Sequence, residues 1–372
     1  MTDMAASSVD GEQNPFLRYR ERLDSYRRAI DAGLSDEQFV DLVGELDDAV
    51  VAVDDRGFRV SPVIDGAALV ADAAPHLRLS VKVDAGNVSG SHKSRHLFGA
   101  ALHLLVDQAA SGRELPERLA IASCGNAAMG AAVVARALDR HLDVFVPTWA
   151  EANVVDALDG FGATVNRCER RDGEVGDPCY LRFKEAVADG AHSFSVQGTD
   201  TPTTFDGGRT LGWEIEEQVG TPDSLFIQVG GGALATSVGT ALPSARLHPV
   251  QAEGCAPLAR AWEALKPDFD FEAAAADPGA YMYAWEDPQS FATGILDDVT
   301  YDWLPLLRQT RASGGWPIVG PEPMMRSAWE LARARTDVPV CSTGTSGLAG
   351  LLAEPPSSEE HVVVIFTGVD RG

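Results

Sequence analysis

The stretch LSVKVDAGNVSGSHKSRHL, residues 79–97, joins a short valine-rich segment to a helical segment through a turn of glycines and serines. Residues 79–83 have the composition of a buried strand, and the glycines and serines after them are typical of a tight turn. Lys93 stands where the following helix begins. Its amine is either a solvated surface charge or a nucleophile that the fold holds in place, and the stretch by itself favours the surface interpretation.

The same change of pattern repeats along the chain. Short segments rich in valine and isoleucine alternate with alanine- and leucine-rich stretches of helical period, for example residues 127–138 and 323–335. The predicted strands are residues 79–83, 118–123, 143–147, 163–168, 192–197, 224–229, 248–253 and 361–367. This alternation predicts an α/β fold of twisted, mostly parallel sheets with helices on both faces, in which ligands bind at the carboxyl ends of the strands.

The first part of the chain has a different character. Residues 1–14 predict a disordered tail, and an amphipathic helix is predicted from residue 16 to residue 32, where Gly33 ends it. Ser35 and Gln38 have the spacing of a capping box, which predicts a second, short helix after that glycine.

Composition limits the possible partners. The chain of 372 residues has 30 lysines and arginines against 55 aspartates and glutamates, a formal net charge of −25. Such an acidic chain is a poor partner for nucleic acid or an anionic membrane, and its apolar fraction of 45% is typical of a globular protein. The N-terminal segment has no apolar run of the signal-peptide kind and the five cysteines are scattered, so we expect a cytoplasmic protein without a zinc site.

A small polar loop follows the predicted strand at residues 118–123. Ser123, Cys124, Gly125 and Asn126 lead from this strand into an alanine-rich helix. Backbone N–H groups at a helix N-terminus favour a carboxylate or a phosphate as a ligand. The alternative is an ordinary helix start that Asn126 caps, and the loop alone does not distinguish the two.

Two further strand ends carry residues of interest. Three glycines, residues 230–232, follow the strand at residues 224–229, and glycine lets backbone N–H groups approach a phosphate closely. The sequence is not GxxxxGK[ST], and its glycine spacing differs from the dinucleotide fingerprint, which disfavours a P-loop ATPase and a nicotinamide-dependent dehydrogenase. Thr367 ends the strand at residues 361–367, where its hydroxyl is either structural or faces a ligand ring.

Five motifs, taken in chain order, resemble those of one family. They are GNVSGSHKSR (86–95), SCGNAA (123–128), DGGRTLGWEI (206–215), VGGGAL (229–234) and IFTG (365–368). In this order they resemble the lysine, carboxylate, helix-start, phosphate and ring-nitrogen segments of the fold type II pyridoxal-phosphate enzymes, the group of tryptophan synthase β, threonine synthase and the serine–threonine dehydratases. GFRVSPV (57–63) and VQAEGCAPL (250–258) are also similar to that family, so the resemblance extends over nearly all of residues 14–372.

The resemblance implies roles for individual residues. Pyridoxal 5'-phosphate would be the cofactor, bound through an imine to Lys93, which then acts as the base at the substrate α-carbon. Asn126 would bind the ring hydroxyl of the cofactor, and Thr367 its pyridine nitrogen. The remaining implied contacts are the cofactor phosphate with Gly230, Gly231, Gly232, Ala233 and Leu234, the substrate carboxylate with Ser123, Cys124, Gly125 and Ala127, and the mouth of the site with Thr293.

The same resemblance implies a division into domains and an assembly. A large cofactor-binding domain would comprise residues 15–95 and 169–372, and a small mobile domain, residues 96–168, would close over the substrate. The family also implies a homodimer, with a small amino acid as the substrate. No cluster of metal-ligating residues is predicted in the sequence, and whether a monovalent cation is needed stays open.

The neutral Thr367 at the ring nitrogen favours the departure of a leaving group from Cβ over transamination. We therefore expect a lyase that eliminates water from a hydroxy-amino acid such as L-threonine or L-serine, through an external aldimine and an aminoacrylate. Hydrolysis of the aminoacrylate takes up a water and gives the 2-oxo acid and ammonia. The alternative within the family is a replacement synthase of the threonine synthase or cysteine synthase kind, and a catalytically silent binding protein is a third possibility.

Lys82, Arg95 and Arg209 are candidates for binding the second phosphate that threonine synthase binds, although the two arginines are more simply surface or ion-pair residues.

Overall fold

The computed structural model describes residues 13–371, which form two compact units. The first unit contains the described residues up to Val60 together with Asn87–Thr210, and the second contains Ser61–Gly86 and the chain from Leu211 onward. The chain therefore passes between the units at three places. The predicted disordered tail, residues 1–14, lies outside the described residues except for its last two. Of these, Asn14 is buried and its side chain caps the first helix, so its inclusion in the tail was wrong.

Helices and strands alternate as the sequence pattern predicts. The helices are α1 (Pro15–Arg18), α2 (Asp24–Asp31), α3 (Asp36–Asp54), α4 (Ala67–Val70), α5 (Lys93–Ser111), α6 (Asn126–Ala137), α7 (Ala152–Gly160), α8 (Pro178–Ala188), α9 (Thr204–Val219), α10 (Ala233–Ala241), α11 (Pro257–Leu265), α12 (Phe271–Ala276), α13 (Trp303–Ala312), α14 (Glu322–Arg335) and α15 (Ser346–Ala353). The strands are β1 (Val63–Asp65), β2 (Arg78–Val83), β3 (Arg118–Ala122), β4 (His141–Pro147), β5 (Thr164–Cys168), β6 (His192–Ser193), β7 (Ser224–Gln228), β8 (Arg246–Ala252), β9 (Ile318–Gly320) and β10 (His361–Phe366). Short 3-10 turns lie at Arg20–Arg22, Val88–Gly90, Pro278–Ala280, Thr293–Ile295 and Thr343–Thr345. Between residues 13 and 371, none of the helices is long and apolar enough to cross a lipid bilayer.

The second unit is built on a six-stranded sheet of order β1-β2-β10-β7-β8-β9. Strand β1 pairs antiparallel with β2, and the other neighbouring strands pair in parallel. In β10, Val362, Val364 and Phe366 belong to one hydrophobic cluster, and Val363 and Ile365 belong to another. Because successive side chains of a strand point to opposite faces, both faces of this sheet are covered, which explains the uninterrupted apolar run in its sequence.

The first unit contains a four-stranded parallel sheet of order β5-β4-β3-β6. Helix α8 packs against one face of this sheet, where Ala120, Phe145 and Phe183 share a hydrophobic cluster. The alternate residues of β3, Leu119 and Ile121, are buried on the opposite face. The predicted α/β fold, with mostly parallel sheets and helices on both faces, is confirmed.

The predicted strands are all present, and most of their ends lie within two residues of the prediction. The exception is β6, which has only residues 192 and 193 of the predicted 192–197. Strands β1 and β9 were not predicted, because three residues are too few to show an alternating or apolar pattern.

The N-terminal helices differ from the prediction in length. The single helix predicted over residues 16–32 is divided at Leu23, whose backbone is extended with φ −76° and ψ 140°. The amides of Asp24 and Ser25 each donate to the carboxylate of Asp206 at 2.9 Å, so a residue distant in the sequence starts α2. The capping box that begins at Ser35 is confirmed, but the helix it opens, α3, has 19 residues and is not short.

The compact units differ from the predicted domains. Residues 169–210, which were predicted in the large domain, belong to the first unit together with residues 96–168. The reason is that β6 pairs with β3 and that α8 packs on β3 and β4. The described residues up to Val60 and residues 87–95 also belong to the first unit. The mobility of residues 96–168 stays a prediction.

Candidate active site

Lys93 is the first residue of α5, as predicted, and it follows a tight turn in the first unit. Ser89 in this turn has a left-handed backbone, φ +52°, and its amide donates to the carboxylate of Asp54 at 3.0 Å. The Oγ atoms of Ser89 and Ser94 lie 2.5 Å apart, which links the turn to the first turn of α5. Lys93 itself is partly buried. The chain on both sides of this lysine is therefore held by hydrogen bonds.

His92 directly precedes Lys93 and is buried. Burial lowers the pKa of its imidazole well below the ordinary value, and the positive charges of Lys93, His96 and Arg95 lower it further. Its ring meets that of His96 edge to face, with the centroids 5.7 Å apart. The imidazole of His92 is therefore neutral at physiological pH and adds no charge beside the lysine.

The polar loop after β3 enters α6 as predicted. The amide of Ser123 donates to the carbonyl of Phe145 at 3.1 Å, which continues the pairing of β3 with β4 by one bond. Gly125 is the N-cap of α6 and its amide donates to Oγ of Ser123 at 3.3 Å. Asn126 is the first residue of the helix, so the alternative in which Asn126 caps it is wrong. Its side chain is consequently not used as the cap of its own helix.

Helix α6 approaches the start of α5 closely because position 130 is a glycine. A Cβ at Gly130 would lie 3.0 Å from Oγ of Ser94 and 3.3 Å from the carbonyl carbon of Lys93. Asn126 is four residues before Gly130 and therefore shares its face of the helix. The first unit thus brings the predicted ring-hydroxyl ligand and the predicted imine-forming lysine to the same helix–helix contact.

The three glycines at residues 230–232 follow β7 in the second unit and lead into α10. Gly232 is the N-cap of α10 and has φ +105°, a conformation that glycine adopts without strain. A Cβ at Gly230 would collide with the carboxylate of Asp297. The backbone conformation therefore favours glycine at position 232, and a side chain at position 230 would displace the carboxylate of Asp297.

The backbone of the glycine loop fits a phosphate. The amide of Asp302 donates to the carbonyl of Gly231 at 2.8 Å, and the N–H of the same peptide, on Gly232, must point the opposite way. Within residues 13–371, the N–H groups of Gly230, Gly231 and Gly232 make no backbone hydrogen bond. Such N–H groups before a nine-residue helix provide the donors and the positive dipole end that an anionic phosphate requires.

Thr367 follows β10 and is 3% exposed. The amide of Asp84 donates to the carbonyl of Phe366, and the amide of Cys341 donates to the carbonyl of Gly368, both at 2.8 Å. The backbone on each side of Thr367 is therefore fixed. Because β10 and β7 are parallel neighbours, Thr367 and the glycine loop lie at the same edge of the sheet.

Thr293, predicted at the mouth of the site, is exposed and begins a 3-10 turn. The next amide, that of Gly294, donates to Oγ1 of Thr343 at 2.9 Å. Thr343 belongs to residues 341–345, a segment whose glycine packs against the carbonyl of Thr367. Sequence reasoning missed this segment. Its signal was a run of small polar residues directly before the apolar helix α15.

The candidate ligands of a second phosphate have partners within the protein. Lys82 forms an ion pair with Glu214 at 2.6 Å, and both side chains are fully buried. Arg209 forms an ion pair with Asp206 at 2.5 Å, so its interpretation as an ion-pair residue is confirmed. Arg95 is also fully buried and is not a surface residue. The structure therefore gives no support to a phosphate site built from these cations.

The predicted site residues are divided between the two units. Lys93 and residues 123–127 belong to the first unit, and residues 230–234, Thr293 and Thr367 belong to the second. Within the first unit, the lysine and the polar loop meet at the contact of α5 with α6. Within the second, the glycine loop and the threonine share one sheet edge.

The chain matches the model of the family described as pyridoxal-phosphate dependent enzyme over residues 55–368. This match covers far more than half of the chain, and its range includes the lysine turn and the glycine loop. The protein belongs to the family of pyridoxal-phosphate-dependent enzymes.

Individual proteins in this family resemble the chain more distantly. It is 28% identical over 213 residues to phenylserine dehydratase of Ralstonia pickettii, which covers 56% of this chain and 61% of that protein. It is 30% identical over 182 residues to a serine dehydratase-like protein of Mus musculus, covering 48% of this chain and 51% of that protein. The chain thus spans about half to three fifths of the length of these curated relatives. The processed form of threonine deaminase isoform 2 from Solanum lycopersicum has the same fold, with a TM-score of 0.66, 19% identity, and coverage of 91% of this chain and 86% of that one.

Proposed function

We propose that the protein is a lyase that uses pyridoxal 5'-phosphate to convert a hydroxy-amino acid, such as L-serine or L-threonine, into a 2-oxo acid and ammonia. The observation that carries this proposal is the position of Lys93, held at the first turn of α5 against the helix that begins with Asn126. Family membership supports the cofactor, and the dehydratases among the relatives support the reaction.

The residues of the first unit would hold the reacting part of the substrate. Lys93 would bind the cofactor covalently and carry the proton to and from the substrate α-carbon. Asn126 would bind the ring hydroxyl of the cofactor. The N-terminus of the twelve-residue helix α6, with Ser123, Cys124, Gly125 and Ala127 around it, would bind the substrate carboxylate through backbone N–H groups and the helix dipole.

The residues of the second unit would hold the rest of the cofactor. Its phosphate would bind to the loop and helix start formed by Gly230, Gly231, Gly232, Ala233 and Leu234, which include the three glycine N–H groups without a backbone hydrogen bond. When bound, the cofactor supplies an electron-withdrawing ring to the substrate α-carbon. Thr367 offers the ring nitrogen a neutral hydroxyl, which limits that withdrawal and so favours the loss of a leaving group from Cβ. Thr293 would lie at the entrance for the substrate.

A replacement synthase would use the same residues up to the point where a second substrate adds. A phosphorylated substrate would need a further anion site, and the ion pairs of Lys82 and Arg209 leave these two cations engaged. Elimination without a second substrate is therefore the function that the structure supports best.

We also propose that the protein is a cytoplasmic homodimer. All five cysteines are free thiols, which suits a reducing compartment. The dimer follows from the family resemblance alone. Size-exclusion chromatography with light scattering tests it, and a monomer at micromolar concentration would contradict it.

The decisive experiment combines product analysis with chemical trapping. The purified protein, loaded with pyridoxal 5'-phosphate, is mixed with a panel of amino acids, and 2-oxo acid and ammonia are measured. Activity with L-serine or L-threonine alone supports the lyase. Release of phosphate from O-phosphohomoserine, or activity only when a nucleophile is added to O-acetylserine, would establish a synthase instead.

Borohydride reduction followed by peptide mapping locates the covalent bond. We expect the pyridoxyl group on Lys93 and no such group in Lys93→Ala. Lys184→Ala is the control. Lys184 is in the same unit, its side chain is 53% exposed, and it is not among the residues predicted to bind the cofactor or the substrate. A pyridoxyl group on any other lysine would overturn the assignment.

A further inference from the structure

The three places where the chain passes between the units coincide with two buried cations. The passages lie at Val60–Ser61, Gly86–Asn87 and Thr210–Leu211. Arg95 in the first unit and Lys82 in the second are fully buried and are among the largest fully buried side chains of the described residues. Because an unpaired buried charge costs several kcal/mol, the partners of each cation indicate which parts of the chain it holds.

In the first unit, Arg95 or its hydrogen-bond acceptor contacts a residue at each of the three passages. Its Nη2 donates to the carbonyl of Arg59 at 3.4 Å, and Nδ2 of Asn87 donates to the same carbonyl at 2.9 Å. Its Nη1 donates to Oγ1 of Thr210 at 2.9 Å. Arg59 lies next to the first passage, Asn87 begins the chain after the second, and Thr210 is the last residue before the third. One guanidinium group thus contacts or shares an acceptor with every passage of this unit.

In the second unit, Lys82 has the corresponding position. Its Nζ lies 2.6 Å from Oε2 of Glu214 and donates to the carbonyl of Ser61 at 2.5 Å and to Oε1 of Gln218 at 2.7 Å. The amide of Ser61 donates to Glu214 at 2.9 Å, and Oγ of Ser61 lies 2.8 Å from Oδ1 of Asp84. Ser61 is the first residue after the first passage, Asp84 precedes the second closely, and Glu214 follows the third within one helical turn.

We propose that Arg95 and Lys82 are positioning residues that fasten the three passages of the chain, each within its own unit, and thereby fix Lys93. Lys93 lies between Asn87, which shares an acceptor with Arg95, and Arg95 itself. A loosened passage at Asn87 therefore moves the turn that presents the lysine amine. The effect on Lys93 rests on the proposed function, whereas the fastening does not. Full burial makes both cations hard to replace, because water has no access to the groups left unpaired.

Hydrogen exchange tests the fastening in the complete chain with its cofactor. In Arg95→Met, the amides of residues 57–60, 87–95 and 207–210 are expected to exchange at least about tenfold faster than in wild type. In Lys82→Met, the same is expected for the amides of Ser61, of residues 84–86 and of residues 211–218. Leu158→Ala and Leu247→Ala, which create cavities in the cores of the first and the second unit, are matched controls for general loss of stability. Faster exchange at the passages in the controls to the same extent would overturn the proposal.

A double variant shows whether Lys82 holds the passages or only neutralises the buried charge of Glu214. Lys82→Met with Glu214→Gln removes both charges, so the penalty for an unpaired buried charge is absent. Residue 214 keeps an acceptor oxygen for the Ser61 amide, but the Ser61 carbonyl has lost the donor Nζ of Lys82, so this amide is expected to exchange as fast as in Lys82→Met. Recovery of wild-type protection at Ser61 in the double variant would show that the pair only compensates its own charges, and would overturn the proposal for the second unit.

The effect on Lys93 is tested separately, by steady-state kinetics. Arg95→Met is expected to lower kcat for 2-oxo acid release by about tenfold or more with little change in KM, and Arg95→Lys is expected to restore part of it. Unchanged kcat together with faster exchange at the passages would show that Arg95 holds the chain but does not position Lys93, and would overturn that part of the proposal. If the wild type forms no covalent bond with the cofactor, the proposed function fails, while the exchange data still decide whether the cations fasten the chain.

Discussion

At the scale of the single residue, Thr367 is the neutral group that we propose to lie at the ring nitrogen of the cofactor. It is almost fully buried, and hydrogen bonds to the neighbouring carbonyls of Phe366 and Gly368 fix its backbone. A carboxylate at this place would attract a proton to a ring nitrogen, whereas a hydroxyl does not. The choice of threonine is therefore the residue-level reason to expect elimination.

The substitution Thr367→Asp tests this reason. We expect it to slow 2-oxo acid formation by about tenfold and to increase the number of Cα–H exchanges per turnover, because the carboxylate strengthens electron withdrawal from Cα. Deuterium in substrate recovered from D₂O, divided by product formed, measures that number. Thr367→Ser keeps the hydroxyl and serves as the control. Equal ratios in the two variants would contradict the role of Thr367.

At the scale of the element, Asp206 caps the N-terminus of a helix to which it does not belong. Its carboxylate accepts the amides of Asp24 and Ser25 at the N-terminus of α2. Burial raises the pKa of Asp206, but the hydrogen bond from His103 and the charge of Arg209 lower it more, so that its pKa is about 2 against 3.8 in an unfolded chain. A carboxylate with a lowered folded pKa contributes stability above its unfolded pKa, and this contribution is lost as the pH falls through the folded value.

Asp206→Asn is therefore expected to lower the free energy of unfolding by about 2 kcal/mol at pH 7. About half of the difference from wild type should disappear near pH 3, because the unfolded wild-type chain then takes up a proton that the folded chain does not. Urea unfolding at the two pH values measures it. Asp189→Asn, with a side chain 83% exposed, is the control and should differ little from wild type at either pH. A difference for Asp206→Asn that does not depend on pH would contradict the lowered pKa.

The crossing of α5 and α9 depends on glycine. A Cβ at Gly207 would collide with the carbonyl of Arg95, and one at Gly99 would collide with the backbone of Gly207. The close approach explains the glycine at position 207 of the DGGR motif, because it allows the start of α9 to pack directly against α5, the helix that carries Lys93.

Two glycine substitutions in the first unit should have opposite effects. Gly207→Ala forces the two backbones apart and is expected to lower the free energy of unfolding by about 1–3 kcal/mol. Gly44→Ala, inside α3 with no atom within 4 Å of the added Cβ, is expected to raise it by about 0.4–1 kcal/mol, because alanine restricts the unfolded chain. Denaturant unfolding compares them. Equal effects would show that the contact at Gly207 is not tight.

The elements also show what the sequence could predict. Strand β10 was predicted because both of its faces are buried and its residues are therefore all apolar. The division between α1 and α2 was not, because its cause is Asp206, far along the chain. The lysine turn and the glycine loop were predicted because each is a continuous run of residues that can be recognised in the sequence, and their functional roles stay predictions. The segment at residues 341–345 was missed, because its importance comes from its contacts with Gly294 and Thr367 and not from its own pattern.

At the scale of the whole molecule, the units were harder to predict than the elements. Their bounds follow from pairing between distant strands, such as β6 with β3, and no local pattern records which strands pair. The predicted domains instead followed the family's general division. Of the residues predicted to bind the cofactor, Lys93 and Asn126 belong to the first unit, and residues 230–234 and Thr367 belong to the second.

Binding of the proposed cofactor is expected to stabilise the folded chain. A ligand that binds only the folded chain raises the free energy of unfolding by about 2.7 kcal/mol at a hundred times its Kd. Because the phosphate is proposed to bind at Gly230–Gly232, pyridoxal, which lacks it, should raise Tm by less than half as much at equal concentration. Lys93→Ala keeps this loop and should still respond to pyridoxal 5'-phosphate more than to pyridoxal. Differential scanning calorimetry measures these shifts, and equal shifts with the two compounds would remove the glycine loop from the site.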